Sequence, residues 1–284
     1  MKAPQFDYVK PESLVEVFSL LEKNGDSARI IAGGQTLLAT LNMRLSEPKL
    51  LIDINGVRGL SGISLQERFV RIGAMTRHSE IEESNLVAKH MPLLSMTAPH
   101  VAHKAIRNKG TIGGSIAFAD PAAEWPCCAV ALDAVIVLAS KRGLRRVNAA
   151  DFFRELYTTD MKTDELIVAL EFPLQSPATH CAFDEMARRH GDYPIVGLAA
   201  VAQVSVNSLS QLRLVFLGVG NIPMRARAAE AILEGKPFSP ELLAAAKLEL
   251  AGELTPGADL YNSSELKLHL AAVLMKRLLM KMTS

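Results

Sequence analysis

Two short segments, each built around a Gly-Gly pair, constrain this chain more than any other feature. They are Ala32-Gly33-Gly34-Gln35-Thr36 and Thr111-Ile112-Gly113-Gly114-Ser115. Glycine lacks a Cβ atom and reaches backbone conformations that other residues avoid, so successive N–H groups can point into one concavity. Such a concavity suits a phosphate, and a helix that begins near Thr36 would add its positive end. Two of these turns could grip one pyrophosphate from two sides.

A lone Gly-Gly pair is weak evidence for a phosphate site, because most such pairs are ordinary turns. The chain contains neither a G-x-G-x-x-G sequence nor a Walker sequence, so the ordinary dinucleotide and ATP folds lack support. The 31 Lys and Arg residues against 30 Asp and Glu residues leave a net charge of +1. Because no basic stripe accompanies an aromatic run, a nucleic-acid partner is not indicated.

Cysteine and histidine spacing predicts no metal site. Cys127, Cys128 and Cys181 cannot hold a four-thiolate iron–sulfur cluster, and we interpret them as small buried apolar residues. His100 and His103 stand at helical spacing without a third ligand nearby, which favours surface or interface residues over a metal pair. The N-terminus does not resemble a signal peptide and no segment is apolar enough to span a bilayer, so a cytoplasmic protein is expected.

A domain boundary is predicted at residues 174–179, where Pro173 and Pro177 bracket a polar stretch. Before this point short helices and strands are mixed. Pro92 opens a helical stretch toward Ile106, and residues 111–117 read as a strand or turn. After it, three strands precede three helices, an order typical of an α+β domain. The predicted strands are 182–188, 198–206 and 212–219, with a loop from Asn207, and the helices are 225–233, 240–251 and 263–282.

Three longer segments carry a family resemblance. They are residues 30–38 continuing to Asn42-Met43-Arg44-Leu45, residues 106–115 running on to 124, and Arg188-Arg189-His190-Gly191-Asp192-Tyr193. The first two resemble the FAD-pyrophosphate loops of the medium subunits of molybdenum-containing hydroxylases, the family of carbon monoxide dehydrogenase and xanthine dehydrogenase. The third is similar to a segment that begins their C-terminal domain. The likeness runs nearly the full length, and three motifs in order are more specific than any Gly-Gly pair.

The resemblance implies an α+β protein with a two-subdomain FAD-binding fold of the PCMH or vanillyl-alcohol-oxidase type. The FAD-binding domain would cover residues 1–176, with subdomains of about 1–56 and 57–176. A C-terminal α+β domain, with a three-stranded antiparallel sheet plus helices, would cover residues 177–284.

The resemblance also implies FAD contacts and no catalytic residue. Residues 30–37 and 111–115 would wrap the pyrophosphate and ribityl chain, Asp120 and Glu124 would lie near the adenosine end, and Tyr193 would lie by the isoalloxazine, since a flavin plane stacks on an aromatic ring. The predicted cofactor-binding residues are Ile30, Ile31, Ala32, Gly33, Gly34, Gln35, Thr36, Leu37, Val101, Thr111, Ile112, Gly113, Gly114, Ser115, Ala117, Asp120, Glu124, Ile167 and Tyr193.

Four of these residues also have ordinary structural explanations, which the sequence leaves open. Asp120 could cap a helix and Glu124 could be a first-turn acid. Ile167 could be a core residue, and Tyr193 could be a turn residue.

The chain departs from the family pattern after Phe183. Some relatives carry a Lys shortly after the equivalent Phe, whereas this chain has Asp184-Glu185-Met186. A positive charge there could stabilise a reduced, anionic flavin. Whether Arg188 or Arg189 supplies that charge is left open by the sequence.

The implied function is an oxidoreductase subunit that relays electrons through FAD. It would take them from [2Fe–2S] clusters on a small partner subunit, while a large partner holds the molybdenum cofactor, in a dimer of heterotrimers. One alternative is a self-contained FAD-dependent alcohol oxidase, with His100 or His103 as a covalent link. Another is a flavin-free scaffold, against which the intact glycines argue. The sequence names neither the substrate nor the acceptor, whether NAD, a quinone or oxygen.

Overall fold

The structure, a computed structural model, describes residues 2–205, 208–237 and 239–283. Near the N-terminus, three parallel strands form a sheet in the order β1–β3–β2. Helix α1 covers this sheet because Val17, Phe18 and Leu21 recur at helical spacing and are buried, while Ser13 caps its start. The elements here are β1 (Asp7–Val9), α1 (Leu14–Asn24), β2 (Ala28–Ile31), α2 (Leu37–Asn42) and β3 (Leu50–Asp53).

An antiparallel sheet in the order β4–β5–β10–β6–β7 follows, with a two-stranded hairpin, β8–β9, beside it. Its central strands are apolar on both faces, as expected for buried strands. The elements are β4 (Ile63–Leu65), β5 (Phe69–Gly73), α3 (His78–Glu82), α4 (Asn85–His90), α5 (Pro92–Thr97), α6 (Lys104–Arg107), α7 (Ile112–Phe118), α8 (Glu124–Ala131), β6 (Val135–Ser140), β7 (Gly143–Asn148), α9 (Ala149–Phe152), β8 (Phe153–Glu155), β9 (Thr158–Thr159) and β10 (Leu166–Pro173).

Two predictions for this region are wrong. The helical stretch from Pro92 breaks after α5 into a 3-10 helix, Ala98–His100, because Pro99 cannot continue an α-helix and Ala102 adopts a positive φ of 47°. Residues 111–117, predicted as a strand or turn, lie almost wholly in helix α7. Thr111 is its N-cap and accepts a hydrogen bond from Gly114 N at 3.1 Å, so the threonine outweighs the glycine pair as a local signal.

The C-terminal part is a second antiparallel sheet, in the order β11–β12–β13–β14, with helices after it. The α+β class and the three long strands are as predicted, and a two-residue fourth strand, β14, was not foreseen. Val206 and Asn207, where a strand end and a loop were predicted, lie outside the described residues. The elements are β11 (Thr179–Met186), β12 (Val196–Ser205), β13 (Ser208–Leu217), β14 (Met224–Arg225), α10 (Arg227–Leu233), α11 (Pro240–Glu253) and α12 (Ser264–Thr283).

Both faces of this sheet are buried, and alternate residues of one strand belong to different cores. Ala182 packs with the C-terminal helices, whereas Phe183 packs with α5 and α8 of the preceding part. The C-terminal sheet therefore completes the core of the region before it. Within the described ranges, no helix is long and apolar enough to cross a membrane.

Candidate functional site

The first double-glycine turn presents a row of backbone donors. Its residues lie between β2 and α2 and are half-buried. Within the described part of the chain, the N–H groups of Gly33, Gly34, Gln35 and Thr36 donate no hydrogen bond. Gly34 adopts a φ of +70°, a conformation that favours glycine. Four adjacent unpaired donors fit an anionic group, which can satisfy all of them at once.

The second turn is different, since its N–H groups are occupied within the chain. Ile112 N donates to Thr76 O, Gly113 N to Ala74 O at 2.8 Å, and Ser115 N to Thr111 O. The two turns therefore differ in the number of backbone N–H groups that they leave unpaired. This turn can offer its hydroxyl groups to a ligand, and its backbone can lie close to that ligand. Most of its amide groups, however, fix the start of α7.

The fold brings the two turns into contact. A Cβ atom on Gly33 would lie 2.7 Å from Gly110 Cα, and one on Gly114 would lie 3.9 Å from Ala32 Cβ. A Cβ on Gly113 would lie 2.7 Å from Ala74 O. Gly33 and Gly113 therefore make room for backbone of the chain itself, whereas the atoms nearest to a Cβ on Gly34 or Gly114 belong to side chains.

Polar side chains that the sequence did not single out tie the turns together. Asn55 Nδ2 donates to Ala32 O at 2.8 Å, and Arg77 Nη2 donates to Asn55 Oδ1 at 2.6 Å. Arg77 also donates to Lys109 O. Asn55 lies two residues after the end of β3, in the 3-10 helix Ile54–Gly56.

His78 supports the second turn from the interior. Burial lowers the pKa of His78 to about 3, with Arg107 and Arg77 adding to the effect. The neutral ring can then accept, and Trp125 Nε1 donates to His78 Nδ1 at 3.0 Å. The ring lies where a Cβ of Gly110 would be, 2.6 Å from Nε2, so Gly110 is required for this packing.

Aromatic and acidic side chains gather beyond the end of α7. Phe118 contacts Tyr157, with ring centroids 5.1 Å apart, and Tyr157 sits at a positive φ of 54°. Tyr193 is 68% exposed, yet partial burial, Asp120, Tyr157 and Glu124 raise its pKa. Phe118 and Tyr157 were not predicted, because no sequence signal relates them to the Tyr193 segment.

Glu124 is not a surface acid of the first helical turn but a buried residue at the start of α8. Burial raises its pKa to about 8, and Glu185 adds to that rise. Asp120 adds to the rise in the pKa of Glu124, and both acids add to the rise in the pKa of Tyr193.

The other predicted contacts differ in accessibility. Ile167 and Val101 are 2% and 7% exposed and belong to the large core. Burial in the core therefore accounts for Ile167. Of the other predicted contacts, Thr111, Ile112 and Gly113 are also buried, Ile30, Ile31 and Leu37 are half-buried, and Ala117 is exposed.

His100 and His103 both face the C-terminal part of the chain. His100 Nδ1 lies 3.5 Å from Glu185 Oε1, and its ring meets Phe183 edge-on. The ring of His103 packs against Gly191. No group of three or more His, Cys, Asp or Glu side chains suited to a metal occurs among the described residues. The interface interpretation of these histidines is therefore the one that the contacts support.

Arg188, a positive charge in the Tyr193 segment, has a partner within the chain. The guanidinium of Arg188 stacks over the ring of Tyr261, 3.8 Å from its centroid. Arg188 thus contacts the loop that precedes α12.

Comparison with known proteins identifies the family. Residues 4–175 match the model described as the FAD binding domain in molybdopterin dehydrogenase, and residues 181–282 match the CO dehydrogenase flavoprotein C-terminal domain. The 6-hydroxypseudooxynicotine dehydrogenase complex subunit alpha of Paenarthrobacter nicotinovorans is 38% identical over 282 residues, covering 99% of this chain and 95% of that one. The nicotine 6-hydroxylase medium subunit of the same organism is 37% identical, covering 98% and 97%.

A solved structure agrees with these sequence matches. The carbon monoxide dehydrogenase from Hydrogenophaga pseudoflava superposes with a TM-score of 0.96 at 35% identity, covering 99% of this chain and 98% of that chain. The unpaired donors of residues 33–36 fit the diphosphate of the cofactor for which the family is described. The chain therefore belongs to the FAD-binding medium subunits of the molybdenum hydroxylases, and it is an oxidoreductase subunit.

Proposed function

We propose that this chain holds FAD as the electron relay of a molybdenum hydroxylase complex. Electrons would arrive from [2Fe–2S] clusters of a small partner subunit and leave to an external acceptor. FAD suits this role because it accepts single electrons and can release pairs. The observation that carries the proposal is the row of unpaired N–H groups from Gly33 to Thr36, which suits an anionic partner such as a diphosphate.

The residues of this chain would bind and orient the cofactor. The N–H groups of the first turn would hold the diphosphate, and the hydroxyl of Ser115 would add a donor from the second. The exposed ring of Tyr193 would stack on the flavin plane, and Asp120 would accept from a hydroxyl or N–H group of FAD. Since the chemistry belongs to the cofactor, no acid, base or nucleophile of this chain is required.

The assembly we propose is a dimer of heterotrimers with a large molybdenum subunit and a small iron–sulfur subunit. Its test is affinity purification of the tagged chain from the native host, with FAD, iron and molybdenum measured in the product. We expect FAD, both metals and two co-purifying chains. A product that contains neither iron nor molybdenum would contradict the complex while leaving FAD binding intact.

The alternative, a self-contained alcohol oxidase, would use His100 or His103 as a covalent link. His100 is engaged with Glu185 and His103 is packed against Gly191, so both have other roles. Anaerobic mixing of the isolated chain with a panel of primary and aromatic alcohols separates the two functions. The relay function predicts no bleaching of the flavin absorbance, and bleaching would favour the oxidase.

A further inference from the structure

Side-chain amides hold two successive carbonyl oxygens of the first turn. Asn55 Nδ2 donates to Ala32 O at 2.8 Å, and Gln35 Nε2 donates to Gly33 O at the same distance. The peptide bonds here are trans, and in a trans peptide the C=O and N–H groups point in opposite directions. A donor on Ala32 O therefore directs the Gly33 N–H away from Asn55, and the donor on Gly33 O likewise directs the N–H of Gly34.

The amide of Asn55 is held in one orientation by partners at both of its polar atoms. Oδ1 accepts from Arg77 Nη2 at 2.6 Å, and Nδ2 donates to Asp53 Oδ1 at 2.6 Å as well as to Ala32 O. A reversed amide would set its oxygen against two acceptors and its NH2 group against the guanidinium. The backbone N–H of Asn55 adds a bond to the same Asp53 oxygen at 2.9 Å. The donor that faces Ala32 O is therefore fixed.

The partner of Asn55 also belongs to the contact between the two turns. Arg77 donates to Lys109 O, and this oxygen is the atom nearest to where a Cβ of Gly33 would lie. The side chain of Asn55 is exposed, so it buries little apolar area and its packing contributes little to the fold. What a substitution of Asn55 would remove is thus chiefly its hydrogen bonds to the turn.

We propose that Asn55 is a positioning residue of the FAD site, whose amide orients the peptide bond between Ala32 and Gly33 so that the Gly33 N–H faces the diphosphate. The inference rests on the proposed FAD function and adds a residue beyond the predicted contacts. Asn55 contacts the turn and acts on the cofactor through it. An anion held by several N–H groups is bound more weakly when one of them turns away.

The test uses the full-length protein and three variants: Asn55→Asp, Asn55→Ala and the matched control Asn24→Ala. Asn55→Asp keeps an acceptor for Arg77 but sets an oxygen against Ala32 O, so FAD should bind about tenfold more weakly. Asn55→Ala removes the donor as well and should show a loss of similar size. Asn24 Nδ2 donates to Leu20 O at 2.8 Å in α1, which precedes β2 and lies away from the turn. Asn24→Ala should bind FAD like the parent.

A fluorescence titration measures the FAD affinity, and the phosphorus NMR spectrum at saturating FAD reports the hydrogen bonds of the diphosphate. The diphosphate resonances should shift in both Asn55 variants and not in Asn24→Ala, whereas a purely structural role would leave the bound diphosphate unchanged. Thermal unfolding checks that each variant folds, and Asn55→Ala decides should Asn55→Asp not fold.

Two results would overturn the inference while FAD binding stands. One is an affinity of Asn55→Ala equal to that of the parent, and the other is weaker binding with resonances like those of the parent. If the parent protein itself does not bind FAD, the proposed function fails together with the inference.

Discussion

Gly34 is the residue at which the first turn can be tested with contacts to side chains rather than to backbone. Alanine at its φ of +70° would be strained, and its Cβ would lie 3.2 Å from Leu38 Cδ1. Gly235, with a φ of +67° and nothing within 4 Å, is the matched control far from the turn. Both Ala variants should lose about 1–2 kcal/mol of stability. Only Gly34→Ala should also weaken FAD binding, by about tenfold or more, in a fluorescence titration. Equal loss in both variants would assign the effect to stability alone.

Glu124 should make the stability of the FAD-free protein depend on pH. Its pKa is raised to about 8 by burial and by Glu185, so the folded protein keeps a proton that the unfolded chain loses near the ordinary value of 4.5. This contribution is therefore present below about pH 4.5 and is lost as the pH rises through about 8. His100, whose pKa is raised by its hydrogen bond to Glu185, acts in the same direction.

The expected result is a melting temperature that falls between pH 5 and pH 8 in the parent protein and falls less in Glu124→Gln. Glu249→Gln, on the exposed side of α11, should reproduce the parent profile. Thermal unfolding followed by circular dichroism across this range is the measurement. Parallel profiles for Glu124→Gln and the parent would show that Glu124 is ionised in the fold.

Helix α7 depends on a glycine for contact with the chain rather than with a ligand. A Cβ on Gly113 would lie 2.7 Å from Ala74 O, whereas a Cβ on Gly252, in helix α11, meets nothing within 4 Å. Gly113→Ala should therefore cost about 1–3 kcal/mol through overpacking, while Gly252→Ala should gain up to about 1 kcal/mol from helix propensity. Denaturant unfolding of both variants measures the contrast. A change in the free energy of unfolding with the same sign in both variants would mean that α7 can shift away from β5 freely.

Elements with a regular apolar pattern could be predicted from the sequence, and those set by a single residue could not. The strands β6 and β10 and the helix α12 follow continuous apolar or helical periodicity, which survives in the fold. The start of α7 depends on one capping threonine, and the break after α5 depends on Pro99. Such local signals compete with a glycine pair or a long apolar run, and the sequence alone does not show which of them prevails.

At the scale of the whole molecule, the candidate site is only partly visible in the sequence. The glycine turns and the Tyr193 segment are contiguous motifs, so they could be recognised. Asn55 and Arg77 meet the turns through tertiary contacts between separate elements, as Tyr157 meets Phe118, and no local pattern relates them. The burial of Glu185, with its Oε2 unpaired, likewise follows from the fold and from no local pattern.

The shared core predicts that the FAD-binding part is not self-sufficient. Ala199, Val201, Val215 and Leu217 of the C-terminal sheet are fully buried in the same core as Trp125 of α8. A fragment of residues 1–176 would expose this apolar face, and each large side chain left uncovered loses about 1.5–3 kcal/mol of burial. We therefore expect the fragment to unfold cooperatively at much lower temperature, to bind an apolar dye and to retain no FAD. The full-length chain with Val201→Asp should show the same loss, whereas Gln203→Asp, at the half-buried end of β12, should not. A fragment that melts like the full-length protein with FAD bound would show instead that the two sheets are energetically independent.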